Sequence, residues 1–286
     1  MKNDFSEIQS EIDAMQPDLV RIRRDLHRHP ETGWLEMRTT AILAKELRAL
    51  GYEIYTGRAV CKEGARFGLP DAQILAAHAE QALAQGAPEE ELTADVCAGY
   101  TGVIAILRCG EGPTVAMRFD IDALPMTECP QDAHRPTREG FASVNPGMMH
   151  ACGHDGHAAI GLGVARILMA HRDALHGTVK LIFQPAEEGV RGAHAIVENG
   201  WLDDADTLLA SHVAPTGKAD DGDVTAGTWG SLATTKYDVA FTGRAAHAGG
   251  FPEQGKNALL AAASAALALH AIPRHSGGQS FINVGT

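Results

Sequence analysis

Apolar residues recur at helical spacing through PDLVRIRRDLHR (17–28), with Pro17 at the start and Pro30 just past the end, which predicts a helix over 17–28. The spacing returns over 35–50, and Gly51 stands where a helix C-terminus favours a left-handed residue. A short strand is expected at YEIYT (52–56). The runs TGVIAILR (101–108), TVAMRFDID (114–122), TVKLIFQP (178–185) and TLLASHV (207–213) are apolar almost without interruption, as in strands covered on both faces. Helical patterns at GHAAIGLGVARILMA (156–170) and GAHAIVENG (192–200) fall between them. This alternation predicts an α/β fold, a mostly parallel sheet with helices on both faces.

Two segments depart from that rhythm. Residues 58–100 are Ala-rich and acidic, with one clear helical stretch at 71–86, and read as an inserted helical lobe. From 217 onward, DVTAGTWGSL (223–232), TTKYDVAFTGRA (234–245) and FINVGT (281–286) are strand-like around a single helical run at 257–272. The expected organisation is therefore a catalytic domain over 1–216 and the start of a smaller α+β domain over 217–286.

The net charge of −12 over 286 residues disfavours nucleic acid or an anionic membrane as partner, because phosphate recognition needs a basic face. No apolar run approaches the roughly 18–20 residues of a membrane span. The polar opening MKNDFSEIQSEIDAM has no apolar core of an export signal. Five cysteines at irregular spacing (Cys61, Cys97, Cys109, Cys129, Cys152) then read as reduced thiols, and a cytoplasmic protein is expected. The 14 histidines, several of them clustered, point to metal chemistry.

The densest cluster is MHACGHDGH (149–157). Cys152 and His154 can reach one point from a tight loop, with Gly153 letting the backbone turn between them. Thiolate and imidazole suit zinc and related metals. Read alone, the segment could equally be a His-rich surface loop. QPAEEG (184–189) follows directly on a buried strand, where ligands of open α/β sheets gather. Its adjacent carboxylates, Glu187 and Glu188, point in different directions, so one can bind a cation while the other handles a proton. The alternative is a pair of solvated acids. His212 stands at the end of another strand, and a lone histidine there is commonly structural. Asp120 and Asp122 share a face at the end of a fourth strand. Four such groups on strand ends favour a metal centre over coincidence. No G-x-S-x-G elbow or P-loop is found, which disfavours serine and nucleotide hydrolysis.

MHACGHDGH, QPAEEG, SHV (211–213), DIDALP (120–125) and RRDLHRHPETGW (23–34) resemble the aminoacylase and carboxypeptidase-G-like superfamily of metallopeptidases. They are most similar to its amidohydrolase branch, which includes hippurate hydrolases, auxin-conjugate hydrolases and N-acyl-amino-acid deacylases. The resemblance implies a centre of two divalent metal ions, Mn2+ or Zn2+, held by Cys152, His154, Glu188 and His212. It implies Glu187 as general base and Asp122 as the acid that supports a ligand. Asp120 stands where other branches carry a ligand histidine and is not counted among the ligands. His247, in GRAAHAGG, matches a lid histidine that stabilises the oxyanion in a neighbouring subunit, and Asn283 matches a lid asparagine that binds the substrate carboxylate. The insertion and the segment around His247 are most similar to members that cleave p-aminobenzoyl-glutamate to p-aminobenzoate and glutamate. A broader N-acyl-amino-acid or auxin-conjugate specificity is the alternative, and an inactive truncated binding subunit is another. A homodimer, or a heteromer with a related subunit, is implied. Members of the family return from the lid to the catalytic domain and supply a last histidine ligand there. That histidine is expected to be missing from a chain that stops at Thr286.

Overall fold

The computed structural model of the chain describes all residues except 1–5, 214–223, 226, 228, 229, 231, 232 and 286. In chain order, the first unit holds α1 (Ser6–Arg28), α2 (Met37–Leu50), β1 (Glu53–Tyr55), α3 (Ala72–Ala84), α4 (Ala94–Cys97), β2 (Val103–Arg108), β3 (Thr114–Asp120), α5 (Arg135–Arg138), α6 (His154–Ala170), β4 (Thr178–Gln184), α7 (Gly192–Val197) and β5 (Thr207–Ala210). The second unit contains α8 (Ala258–His270). The two units are Met1–Gly217 and Lys218–Thr286. No described helix is long and apolar enough to cross a membrane.

The five strands order as β1-β2-β4-β3-β5. The β3–β4 and β3–β5 ladders are parallel, while β2 runs antiparallel to both β1 and β4, so β2 alone is reversed. The carboxyl ends of β3, β4 and β5 therefore share one edge. Register sets Asp120 opposite Gln184 and Arg118 opposite Ala210, which brings the residues just beyond each strand to the same place.

Helix α6 lies against the sheet because its glycines leave room. A Cβ at Gly161 would stand 2.5 Å from the Phe183 ring, and one at Gly163 would stand 2.9 Å from Leu19 of α1. Leu43, Leu47, Leu162, Leu181 and Phe183 are fully buried in this layer. Each stabilises the fold by about 1.5–3 kcal/mol relative to exposure.

Helix α1 begins eleven residues before the expected start and carries Pro17 in its interior. Pro17 removes an intrahelical hydrogen bond, which favours ending a helix. Apolar packing against α6 on both sides of it opposes this: Met15 and Leu19 flank Gly163 of α6, and Ile22 and Leu26 are buried in the same core.

The segment 58–100 adds α3, capped by the Asp71 side chain, and α4, capped by Thr93. It packs directly on the first unit rather than standing apart. Leu75, Ala82 and Val96 share a buried cluster with Met37 and Ala41 of α2, and His78 Nε2 lies 3.1 Å from Glu31.

The second unit differs more from expectation. Most of 223–232 lies outside the described residues. Residues 233–243 and 281–285 form no strand among the described residues, and the pairing seen is one isolated bridge between Arg244 and Lys256. Tyr237, Val239, Phe241 and Phe281 are exposed. A β-pattern forms a strand only where a neighbouring strand completes its hydrogen bonds, and none among the described residues does so here.

Candidate metal centre

The loop that carries Cys152 and His154 is pulled to the common strand edge by a two-way backbone pairing of Leu124 with Met149, both bonds 3.0 Å. Gly153 then turns in the left-handed region at φ 87° and becomes the N-cap of α6, so His154 enters its first turn. From β4, the chain leaves through Pro185 into a tight turn with Ala186 at φ 47°. The Glu36 carboxyl group, fully buried, accepts the Ala186 N–H at 2.7 Å and the Thr101 hydroxyl at 2.6 Å. Burial, with the Asp122 charge adding to it, pushes the Glu36 carboxyl up to about 8.

Asp122 organises two of these segments at once. It accepts the backbone N–H of Glu187 at 3.0 Å and of Glu188 at 2.9 Å, and lies 3.3 Å from His154 Nδ1. A proton on His154 Nδ1 leaves the Nε2 lone pair free. Burial works against charging this imidazole, but the Asp122 hydrogen bond and the Asp120 charge outweigh it and raise its pKa.

Cys152 Sγ, His154 and Glu188 each offer a ligand atom, and these atoms lie within 4.8 Å of one another. His154 Nε2 and Glu188 Oε1 are buried and have no hydrogen-bond partner. Orphaned buried polar atoms are costly, and a cation among them would satisfy both. His212 joins the group, with Nε2 3.5 Å from Cys152 Sγ and Nδ1 donating to the Val213 carbonyl at 2.6 Å. The donor set of thiolate, imidazoles and carboxylate fits a borderline divalent metal.

Glu187 stands beside this group. Its Oε2 lies 3.9 Å from His154 Nε2, and its Oε1 lies 3.8 Å from Arg118 Nη2. Burial raises its pKa, Asp120 and Glu188 add to the rise, and Arg118 opposes it.

The structure thus brings Cys152, His154, Glu188, His212, Asp122 and Glu187 to one edge of the sheet. His247 and Asn283 belong to the second unit, where His247 Nδ1 accepts the Gly249 N–H at 3.1 Å and Asn283 is exposed. Sequence reasoning gave no role to Glu36, Arg118 or His157. His157 alone left a signal, standing three residues after His154 on the same helical face.

Burial, with Glu188 and Glu187 beside it, pushes the Cys152 thiol up to about 12. Its proton is therefore held throughout the neutral range and is released when a cation takes the thiolate. Metal affinity is expected to rise about tenfold per pH unit between roughly pH 6 and 8 from this group alone. Calorimetric titration in buffers of different ionisation enthalpy counts the proton. A pH-independent affinity would remove Cys152 from the ligands.

A profile of peptidase family M20/M25/M40 matches residues 116–282. The chain is 53% identical over 275 residues to the indole-3-acetyl-aspartic acid hydrolase of Enterobacter agglomerans, covering 96% of this chain and 62% of that protein. It is 51% identical over 275 residues to one of the subunits of p-aminobenzoyl-glutamate hydrolase from Escherichia coli (strain K12), with the same 96% and 62% coverage. The chain thus spans about three-fifths of the length of these relatives. Among solved structures, it superposes on an aminobenzoyl-glutamate utilization protein from Klebsiella pneumoniae with a TM-score of 0.76 at 42% identity, covering 98% of this chain and 64% of that one. It also resembles a dinuclear metal binding peptidase of the M20 family from Bacillus subtilis, with a TM-score of 0.53 at 33% identity over 71% of this chain and 44% of that one.

Proposed function

Because the chain belongs to peptidase family M20/M25/M40, we propose that it serves metal-dependent hydrolysis of the amide joining an aromatic acyl group to an acidic amino acid, with p-aminobenzoyl-glutamate as the first substrate to test. The observation that carries this reading is the pair of buried, partnerless ligand atoms, His154 Nε2 and Glu188 Oε1, facing the Cys152 thiol. Two divalent cations, Mn2+ or Zn2+, would be held by Cys152, His154, Glu188 and His212. When bound, they make water acidic enough to attack a carbonyl near neutral pH. Glu187 takes the proton of the attacking water and returns it to the leaving amine. Asp122 keeps His154 in the tautomer that presents Nε2. His247 would donate to the oxyanion in a neighbouring subunit, and Asn283 would hold the substrate carboxylate. The Escherichia coli relative is one subunit of its hydrolase, which supports assembly with a related chain, and a homodimer is the alternative.

A second reading, indoleacetyl-aspartate as substrate, is favoured by the 53% identical relative. The metal-loaded protein is to be given p-aminobenzoyl-glutamate, indoleacetyl-aspartate and benzoyl-amino acids in parallel, with the released acid measured by chromatography. Fastest release of p-aminobenzoate supports the first reading, and fastest release of indoleacetate supports the second. No release from any of them by protein shown to hold metal would reject the hydrolase assignment.

A further inference from the structure

A second group of metal-capable side chains, Asp120, His154, His157 and His212, offers ligand atoms that also lie within 4.8 Å of one another. We infer that Asp120 and His157 are not ligands of a further cation, but form a hydrogen-bonded relay that positions His212. The inference rests on the metal centre proposed above.

Both nitrogens of His157 are already engaged. Nδ1 is hydrogen-bonded to Asp120 Oδ1. Nε2 accepts the backbone N–H of Val213 at 2.9 Å. An amide N–H can only donate, so Nε2 carries the lone pair, the proton is on Nδ1, and Asp120 is the acceptor. The ring is thereby fixed as the neutral Nδ1–H tautomer. To coordinate through Nε2, it would have to release the Val213 amide. Asp120 is paired by charge: Arg118 Nη1 lies 2.6 Å from its Oδ2, an ion pair without hydrogen-bond alignment, and Arg118 Nε donates to Gln184 Oε1 at 2.7 Å. The guanidinium supplies the positive charge that Asp120 needs and repels a cation from that carboxylate. The His157 bond and the Arg118 charge hold Asp120 below the usual carboxylate range, against the effect of burial.

What the relay grips is the segment just past β5. Val213 directly follows His212, and the His212 ring lies edge-on to the His157 ring, with centroids 4.6 Å apart at 74°. The His157 ring thus packs against the His212 ring, and its Nε2 holds the peptide that follows. His212 Nε2 is left to face Cys152 Sγ. His157 is a positioning residue in this scheme, reached from Arg118 through Asp120.

The test uses the full chain labelled with 15N-histidine. Long-range proton–nitrogen spectra are expected to show His157 as the Nδ1–H tautomer, both without metal and after saturation with Zn2+. An Nε2–H tautomer, or a coordination shift at His157 on adding Zn2+, overturns the relay. This readout does not need an active enzyme. Titration with Co2+ supplies the second readout. His157→Ala is expected to weaken affinity about 10–100-fold, as loss of a supporting hydrogen bond does. The number of ions bound and the d–d absorption at saturation should stay as in the unaltered chain. Asp120→Asn is expected to weaken affinity in the same range. Loss of a whole ion, or a shifted spectrum, in His157→Ala would make His157 a ligand and overturn the inference. If the unaltered chain binds no Co2+, the metal centre itself is rejected, whereas the tautomer measurement still decides whether the relay exists.

Discussion

Glu187→Gln is expected to lower the rate constant for amide hydrolysis by about 10²–10⁴-fold while leaving bound metal unchanged. The loss corresponds to roughly 3–5 kcal/mol of barrier. The substitution keeps the size of the side chain, and the backbone N–H of residue 187 would still reach Asp122, which accepts it at 3.0 Å. What disappears is the proton acceptor. Glu187 suits that task because burial and the neighbouring Asp120 and Glu188 raise its pKa, which makes it a stronger base toward the attacking water. It is Glu188, not Glu187, that falls in the ligand-distance group with Cys152 and His154. Glu188→Gln should therefore reverse the pattern, with metal affinity falling first and activity following it. Turnover of p-aminobenzoyl-glutamate, set beside metal content of the same samples, separates the two. A Glu187→Gln protein that has lost its metal would make Glu187 a ligand and remove the general base from the proposal.

The contrast between these neighbours shows how far the sequence could be read. The apolar runs that became β2, β3 and β4 are visible because strands covered on both faces need unbroken apolar residues. The polar residues that end them, Asp120, Asp122, Gln184, Glu187 and Glu188, stand out against that background. Their convergence is a matter of sheet order. It depends on β3 lying between β4 and β5 with all three carboxyl ends together, which no local pattern encodes. Roles that depend on register were accordingly illegible. Arg118 reads as a strand residue, and only the parallel ladder puts its guanidinium beside Gln184, Asp120 and Glu187. Glu36 reads as a polar residue before a helix, yet across 150 positions it holds the turn that carries Glu187 and Glu188. Local rules failed in the opposite sense at Pro17, where packing on α6 carries a helix through a residue that usually ends one. The expected strands of 234–245 failed because pairing is a property of two segments, and the pattern of one segment does not supply the other.

The largest effect on stability is expected from Gly192→Ala, because the glutamate turn has no slack at that point. A Cβ on residue 192 would stand 1.7 Å from the Pro185 carbonyl oxygen, which is backbone and cannot swing aside. The Gly192 N–H donates to the Ala186 carbonyl at 2.9 Å, and the Arg191 N–H reaches the same oxygen at 3.2 Å. Within this loop, Ala186 and Val190 hold left-handed φ values of 47° and 58° without being glycine. Such conformations cost on the order of 1–3 kcal/mol each and persist only where surrounding bonds enforce them. The methyl would push α7 off the end of β4, break the bonds to Ala186, and release both strained residues together. A loss of about 3 kcal/mol or more is expected, with divalent-metal affinity falling at least about tenfold as Glu188 leaves its place. Gly156→Ala is the control, since a Cβ there meets nothing within 4 Å. In a helix, that change should raise stability by about 0.5–1 kcal/mol. Thermal unfolding of the metal-free proteins, followed by Co2+ titration, reads both quantities. If Gly192→Ala melts with the unaltered protein and binds Co2+ equally well, the close approach of α7 to β4 is not what fixes Glu187 and Glu188. The buried Glu36 carboxyl group would then have to hold the turn without it.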